Sequence, residues 1–167
     1  MALEPDPENF AALKANIEIN GLKRVEALRV AAWSSASPVY FKRSGMASGL
    51  LDGKVICEVA RADEAVHEAS DVDGVPLDDV VQGLPTLVKI DVEGAEVDVL
   101  GGANRLLSAR SAVWAVECHS LELAKAVEEI FRSLGYTIGR ISPPDSASYA
   151  LARVFVIARP TPQVSTQ

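Results

Sequence analysis

Basic residues are scarce and scattered in this chain. Lys and Arg number 16 against 23 Asp and Glu, the net charge is −7, and no basic run is longer than Lys23-Arg24 or Lys42-Arg43. A nucleic-acid footprint needs a basic stripe or face, so that class of partner is excluded. Long apolar runs are missing too. None approaches the ~20 residues that span a bilayer, and Met1-Ala2-Leu3-Glu4-Pro5-Asp6 turns acidic before an apolar signal core can form. No membrane partner is expected, and the chain reads as soluble and cytoplasmic. Only two cysteines occur, Cys57 and Cys118, both in apolar, strand-like stretches. Two buried free thiols suit a reducing compartment better than one disulfide does. There is no internal repeat. No Gly-x-Gly-x-x-Gly occurs anywhere, which sets aside a dinucleotide-binding Rossmann domain of the NAD type.

What remains is a sequence of 167 residues, 49% apolar, long enough for one domain with a substantial core. Asp6 has the chemistry of a helix N-cap, with Pro7 at the first helical position and Glu8 in the first turn. Phe10, Leu13 and Ile17 follow at helical spacing, and Asn20-Gly21 supplies a stop. The spacing predicts a helix that lays one narrow apolar stripe on a sheet. Residues 25–33 read as a strand, as do 39–41 and 54–59, with a Gly- and Ser-bearing loop over 44–53. Residues 61–74 are polar and give no clear element. Residues 75–81 read as a short strand running into a helical turn.

Residues 87–92 form a short apolar run suited to a buried parallel strand. A helix from about Ala95 carries Val99, Leu100, Ala103, Leu106 and Leu107 on one face. Residues 112–117 read as a second buried strand. Ser120 then caps a helix with Ala124, Val127, Phe131 and Leu134 inward, ended by Gly135. Residues 136–141 and 153–158 close the domain as two strands, and 161–167 form a flexible tail beyond a domain of residues 1–160. Alternating strands and helices imply an α/β fold with a mostly parallel sheet. Ligands in such sheets bind beyond the C-terminal ends of the strands.

Carboxylates gather at those ends. Lys89-Ile90-Asp91-Val92-Glu93-Gly94-Ala95-Glu96 places four charged side chains beside a buried strand, which is costly unless something uses them. Strand alternation would put Lys89, Asp91 and Glu93 on one side, and Gly94 permits a sharp turn. The plainer account is that Glu93 and Glu96 offset a helix dipole. Glu117-Cys118-His119-Ser120 ends the next strand, and His119 can serve as a general base near neutral pH or as an ordinary helix-entry residue. Asp91, Glu93 and His119 lack metal-type spacing, so no metal is expected. Glu4, at a strand-to-helix junction, can accept two ribose hydroxyls or be merely solvated.

Taken together these blocks resemble the FkbM family of methyltransferases. The resemblance rests on Glu4-Pro5-Asp6-Pro7-Glu8-Asn9-Phe10 with Leu13, Asn16 and Asn20-Gly21, then Ala31 and Val75-Pro76-Leu77-Asp78. Its specific part is Lys89-Ile90-Asp91-Val92-Glu93-Gly94-Ala95-Glu96-Val97-Asp98-Val99-Leu100-Gly101-Gly102-Ala103, with Glu117 and His119 following. It covers residues 3 to about 160. The family implies a Rossmann-like class I methyltransferase fold, a seven-stranded sheet with an antiparallel C-terminal hairpin. It implies S-adenosylmethionine (SAM) as cofactor and O-methylation of a sugar or other small-molecule hydroxyl. By position Glu4 would hold the SAM ribose, and Ala32 and Trp33 would lie near the adenine. Asp91, also beside the cofactor, together with Glu93 and His119 would form the catalytic group.

The family's first strand, its Asp-x-Gly-Ala-type loop and the helix after it have no counterpart in this sequence. The expectation is therefore a sheet with an empty central slot between two unpaired edges, each buried unpaired group costing ~1–3 kcal/mol. It follows that the natural gene would continue upstream for at least about 30 residues, the size of a βαβ unit. The 167-residue chain alone would bind SAM poorly. The alternative is a catalytically inactive remnant that serves as a folded binding or oligomerising domain, with another chain, a second copy in a homo-oligomer or a different partner, filling the gap beside residues 89–92.

Overall fold

The structure, a computed structural model, describes residues 1–43, 57–60, 69–141 and 154–161. The expectations for the 44–53 loop and for the tail beyond residue 161 lie outside them. Strand β1 (Ala2–Leu3) leads into helix α1 (Pro7–Ile19), then come β2 (Ala27–Leu28), β3 (Ala31–Ala32), β4 (Ser37–Arg43), β5 (Cys57–Ala60) and β6 (Ala69–Val75). Helix α2 (Leu77–Val80) and strand β7 (Leu87–Ile90) precede α3 (Glu96–Gly101) and α4 (Asn104–Ala109). Strand β8 (Val113–Cys118), helix α5 (Leu121–Ser133), β9 (Tyr136–Ile141) and β10 (Val154–Pro160) complete the domain.

The strands form three sheets, ordered β1-β2, β7-β8-β10-β9 and β3-β6-β4-β5. The predicted neighbours β7 and β8 pair in parallel, from Leu87 opposite Val113 to Ile90 opposite Val116, and each leads into a helix. Strand β10 inserts antiparallel between β8 and β9, which makes the expected closing pair. β1 and β2, joined through α1, pair in parallel. β1 and β7 each have one partner among the described strands, and both line a cavity of about 880 Å³. Where the resemblance implies one seven-stranded sheet, the described strands are thus split at this cavity.

Residues 25–33 are not one strand. β2 pairs with β1, whereas β3, three residues on, pairs with β6, so the chain changes partners at Arg29-Val30. The polar stretch with no predicted element contains β6, which runs antiparallel to β4 and parallel to β3. The single helix expected from Ala95 is two. It breaks at Gly102, where an added Cβ would lie 2.1 Å from the Trp33 carbonyl oxygen, so only glycine lets α3 pack this closely on the end of β3. Asp78 caps the second piece from 27 residues away: its carboxylate accepts from the backbone N–H groups of Arg105 (2.6 Å) and Leu106 (3.1 Å).

The main core runs through this C-terminal half. Phe131 meets Trp114 in a tilted ring contact and Tyr136 edge-on, and Val99, Leu100, Leu106, Val116, Cys118, Val127 and Val156 fill the space around them. Cys118 is buried and free, as expected; burial, reinforced by the Glu96 and Glu128 carboxylates, pushes its thiol up to about 12 against the opposing pull of Arg140. The matching expectation for the Cys57 thiol falls outside the described side chains. Among the described residues no helix is long and apolar enough to cross a membrane.

Candidate active site

The end of β7 makes the site. Strand pairing stops at Ile90, so Asp91, Val92 and Glu93 lie beyond the strand and the alternation expected for Lys89, Asp91 and Glu93 does not govern them. The backbone turns instead. Glu93 has φ +50° and Gly94 φ +115°, and a non-glycine residue in the left-handed region costs of order 1–3 kcal/mol unless its surroundings hold it. The turn swings the Glu93 carboxylate back toward His119, where Oε2 lies 3.1 Å from Nε2. Asp91 Oδ1 is 3.9 Å from the same nitrogen.

Asp91 also accepts from Lys89 Nζ at 2.8 Å and lies within 4.8 Å of Glu117, the buried carboxyl at the end of β8. Burial alone would raise the Asp91 carboxyl. The bond to Lys89 and its charge, with His119 and Glu117 adding to them, outweigh that and hold it below the usual aspartate value. Asp91, Glu117 and His119, a set that has Glu117 where the sequence reading considered Glu93, bring one possible ligand atom each within 4.8 Å of one another.

Glu4 sits across the cavity. Its Oε1 accepts the backbone N–H of Asp6 at 2.8 Å, and its own N–H donates to the Leu28 carbonyl. Burial raises its carboxyl above the ordinary value; the neighbouring Asp6 charge adds to this, while hydrogen bonds from Asp6 and Asn9 partly offset it. Glu4, Ala32, Asp91 and Glu93 all line the cavity. Trp33 does not. It packs with Ala31, Val39, Val72 and Ala95 in a second small core, its N–H donating to the Val75 carbonyl. The structure therefore brings Glu4, Ala32, Asp91, Glu93 and His119 to one place and leaves Trp33 behind the wall.

One residue was read from sequence only as a possible dipole partner. Glu96 is fully buried, and its Oε1 lies 2.8 Å from His119 Nδ1. Twenty-three residues separate the two, and no local pattern connects them; the one hint in the sequence is a carboxylate in the first helical turn of an otherwise apolar face.

The comparisons give the family and the fold. The sequence profile of the methyltransferase FkbM domain matches residues 1–138. The crystal structure of a methyltransferase FkbM from Methylobacillus flagellatus KT superposes with a TM-score of 0.61 at 18% identity, which shows the fold. The match takes in 93% of this chain and 35% of that one, so the chain spans about a third of the relative's length. No curated protein matches the sequence. With the profile matched over most of its length, the chain belongs to the FkbM methyltransferase family.

Proposed function

We propose that the chain carries the catalytic edge of a SAM-dependent O-methyltransferase acting on a sugar or other small-molecule hydroxyl. The supporting observation is that Glu4, Asp91 and Glu93, from opposite sides of a split sheet, line one cavity, with His119 Nε2 3.9 Å from Asp91 and 3.1 Å from Glu93. A volume of about 880 Å³ is within the ~300–1,000 Å³ usual for small-molecule sites. A donor with a ribose diol and a sulfonium charge suits walls that carry three carboxylates.

When bound, SAM supplies an electrophilic methyl group on a positively charged sulfur. The chain's own residues then divide the work. Glu4, which lines the cavity, would accept the ribose hydroxyls, and Ala32 would lie on the adenine side. Asp91, held ionised at neutral pH, orients the acceptor hydroxyl, with Glu93 beside it. His119, whose Nε2 lies 3.1 Å from the Glu93 carboxylate, would take the proton of the acceptor hydroxyl as general base.

Calorimetric titration of SAM tests the donor site. In this chain joined to the first strand, glycine loop and helix of a family relative, binding that Glu4→Ala weakens about tenfold, the loss of one charge-assisted bidentate contact, supports the reading; no binding by that joined chain at millimolar ligand overturns it. In any preparation that transfers methyl groups, Asp91→Asn is expected to lower turnover roughly 100-fold, and unchanged turnover would return Asp91 to a structural role.

A further inference from the structure

The histidine at this site is held from behind. Glu96, at the start of α3, is completely buried, and its Oε1 lies 2.8 Å from His119 Nδ1. The same oxygen accepts the Gly94 backbone N–H at 3.1 Å, which marks it as an acceptor. With Glu96 ionised, Nδ1 is the donor to this oxygen, whether the ring is neutral or protonated, because two acceptors cannot bond each other. The other ring nitrogen is placed differently. Nε2 is buried and lies 3.1 Å from Glu93 Oε2 and 3.9 Å from Asp91 Oδ1, yet neither contact has the direction of a hydrogen bond.

From this arrangement we infer that Glu96 is a positioning residue: it keeps the Nδ1 proton of His119 in place, so the ring gains and loses its proton at Nε2, on the side of Asp91 and Glu93. A carboxylate behind an imidazole sets its tautomer and orientation in this way without touching substrate. The left-handed Glu93-Gly94 turn serves the same end, since it presents the Gly94 N–H to Glu96 and the Glu93 carboxylate to Nε2. Calling Nε2 the base for an acceptor hydroxyl rests on the methyltransferase reading; the tautomer does not.

Nitrogen-15 NMR of histidine-labelled chain reads the tautomer directly, with His67 and His119 the two histidines to assign. At a pH where both rings are neutral, His119 is expected to show a protonated Nδ1 and a bare Nε2. Glu96→Met removes the acceptor, and the Nδ1–H signal is expected to be lost in favour of Nε2–H. Glu96→Gln keeps a side-chain oxygen that can accept from both Gly94 and Nδ1, and is expected to restore the Nδ1–H form. A neutral His119 protonated at Nε2 in the unmodified chain would overturn the inference, as would a Glu96→Met spectrum identical to the unmodified one. Should Glu96→Met not fold, the unmodified chain and Glu96→Gln still decide. A failed SAM titration leaves the tautomer result standing, and a wrong tautomer leaves the donor site standing.

Discussion

Helices α1 and α5 are the same length, 13 residues, and are built from the same local parts. Each has a side-chain cap, Asp6 accepting from the Glu8 and Asn9 N–H groups and Ser120 from that of Leu123. Each is followed by a glycine at positive φ, Gly21 and Gly135. They differ in what covers them. α5 buries Ala124, Val127, Glu128 and Phe131, whereas no residue of α1 is fully buried and Ile19 is 81% exposed. Phe10, Leu13 and Ile17 are inward, as their spacing predicted, but only half-buried. Caps and stops are properties of a few adjacent residues. Burial depends on which elements lie opposite, and beyond α1 stand two strands of two residues each at the cavity's edge.

The contrast can be tested by asking each half how much stability it holds. Trp114 is completely buried against Phe131, at 5.8 Å between ring centres. Trp114→Ala is expected to cost about 3–5 kcal/mol in urea unfolding, a large part of a typical domain's margin; a loss below about 1 kcal/mol would mean the core lies elsewhere. Glu128, buried on α5, accepts from Arg132 at 2.7 Å and from Arg140 Nε. Burial alone would raise its carboxyl, but these two partners more than offset that and hold it below the ordinary value. Glu128→Gln is expected to cost about 1–2 kcal/mol at neutral pH, the arginines being half-exposed. Because the folded value is depressed, this stabilisation is present above the unfolded value near 4.5 and fades as pH falls through the folded one. Mutant and unmodified chains should converge in acid, and a constant gap would show that the loss is packing. The smallest effect belongs to α1. Phe10→Ala is expected to cost under about 1 kcal/mol, the range for partly exposed positions, and a loss near that of Trp114→Ala would erase the contrast.

The sequence was most legible where one element decides its own fate. The runs at 87–90 and 113–118, the caps at Asp6 and Ser120, and the inward residues of α5 all follow from patterns within a few residues. It was least legible where partners are distant. Nothing in residues 25–33 says that the chain leaves β1 for β6, and Ser70-Asp71-Val72-Asp73-Gly74 pairs as a strand only because β3 and β4 lie on either side. The break at Gly102 is set by the Trp33 carbonyl. The site divides in the same way. Asp91, Glu93 and His119 were evident as charged residues at strand ends. The reason first given for grouping Asp91 with Glu93, strand alternation, is replaced by a left-handed turn, and the Glu96–His119 contact needed the fold.

Cys118 stands in sequence between Glu117 and His119, but its side chain joins the core while theirs face the site. A thiol with its pKa pushed up to about 12 holds almost no thiolate at neutral pH, and a buried one meets no reagent. Alkylation at Cys118, located by mass mapping, should therefore proceed only through openings that pull β8 from β7 and β10. Its rate would serve as a clock for how often the strand that leads into His119 comes undone, read under native conditions and without any substrate.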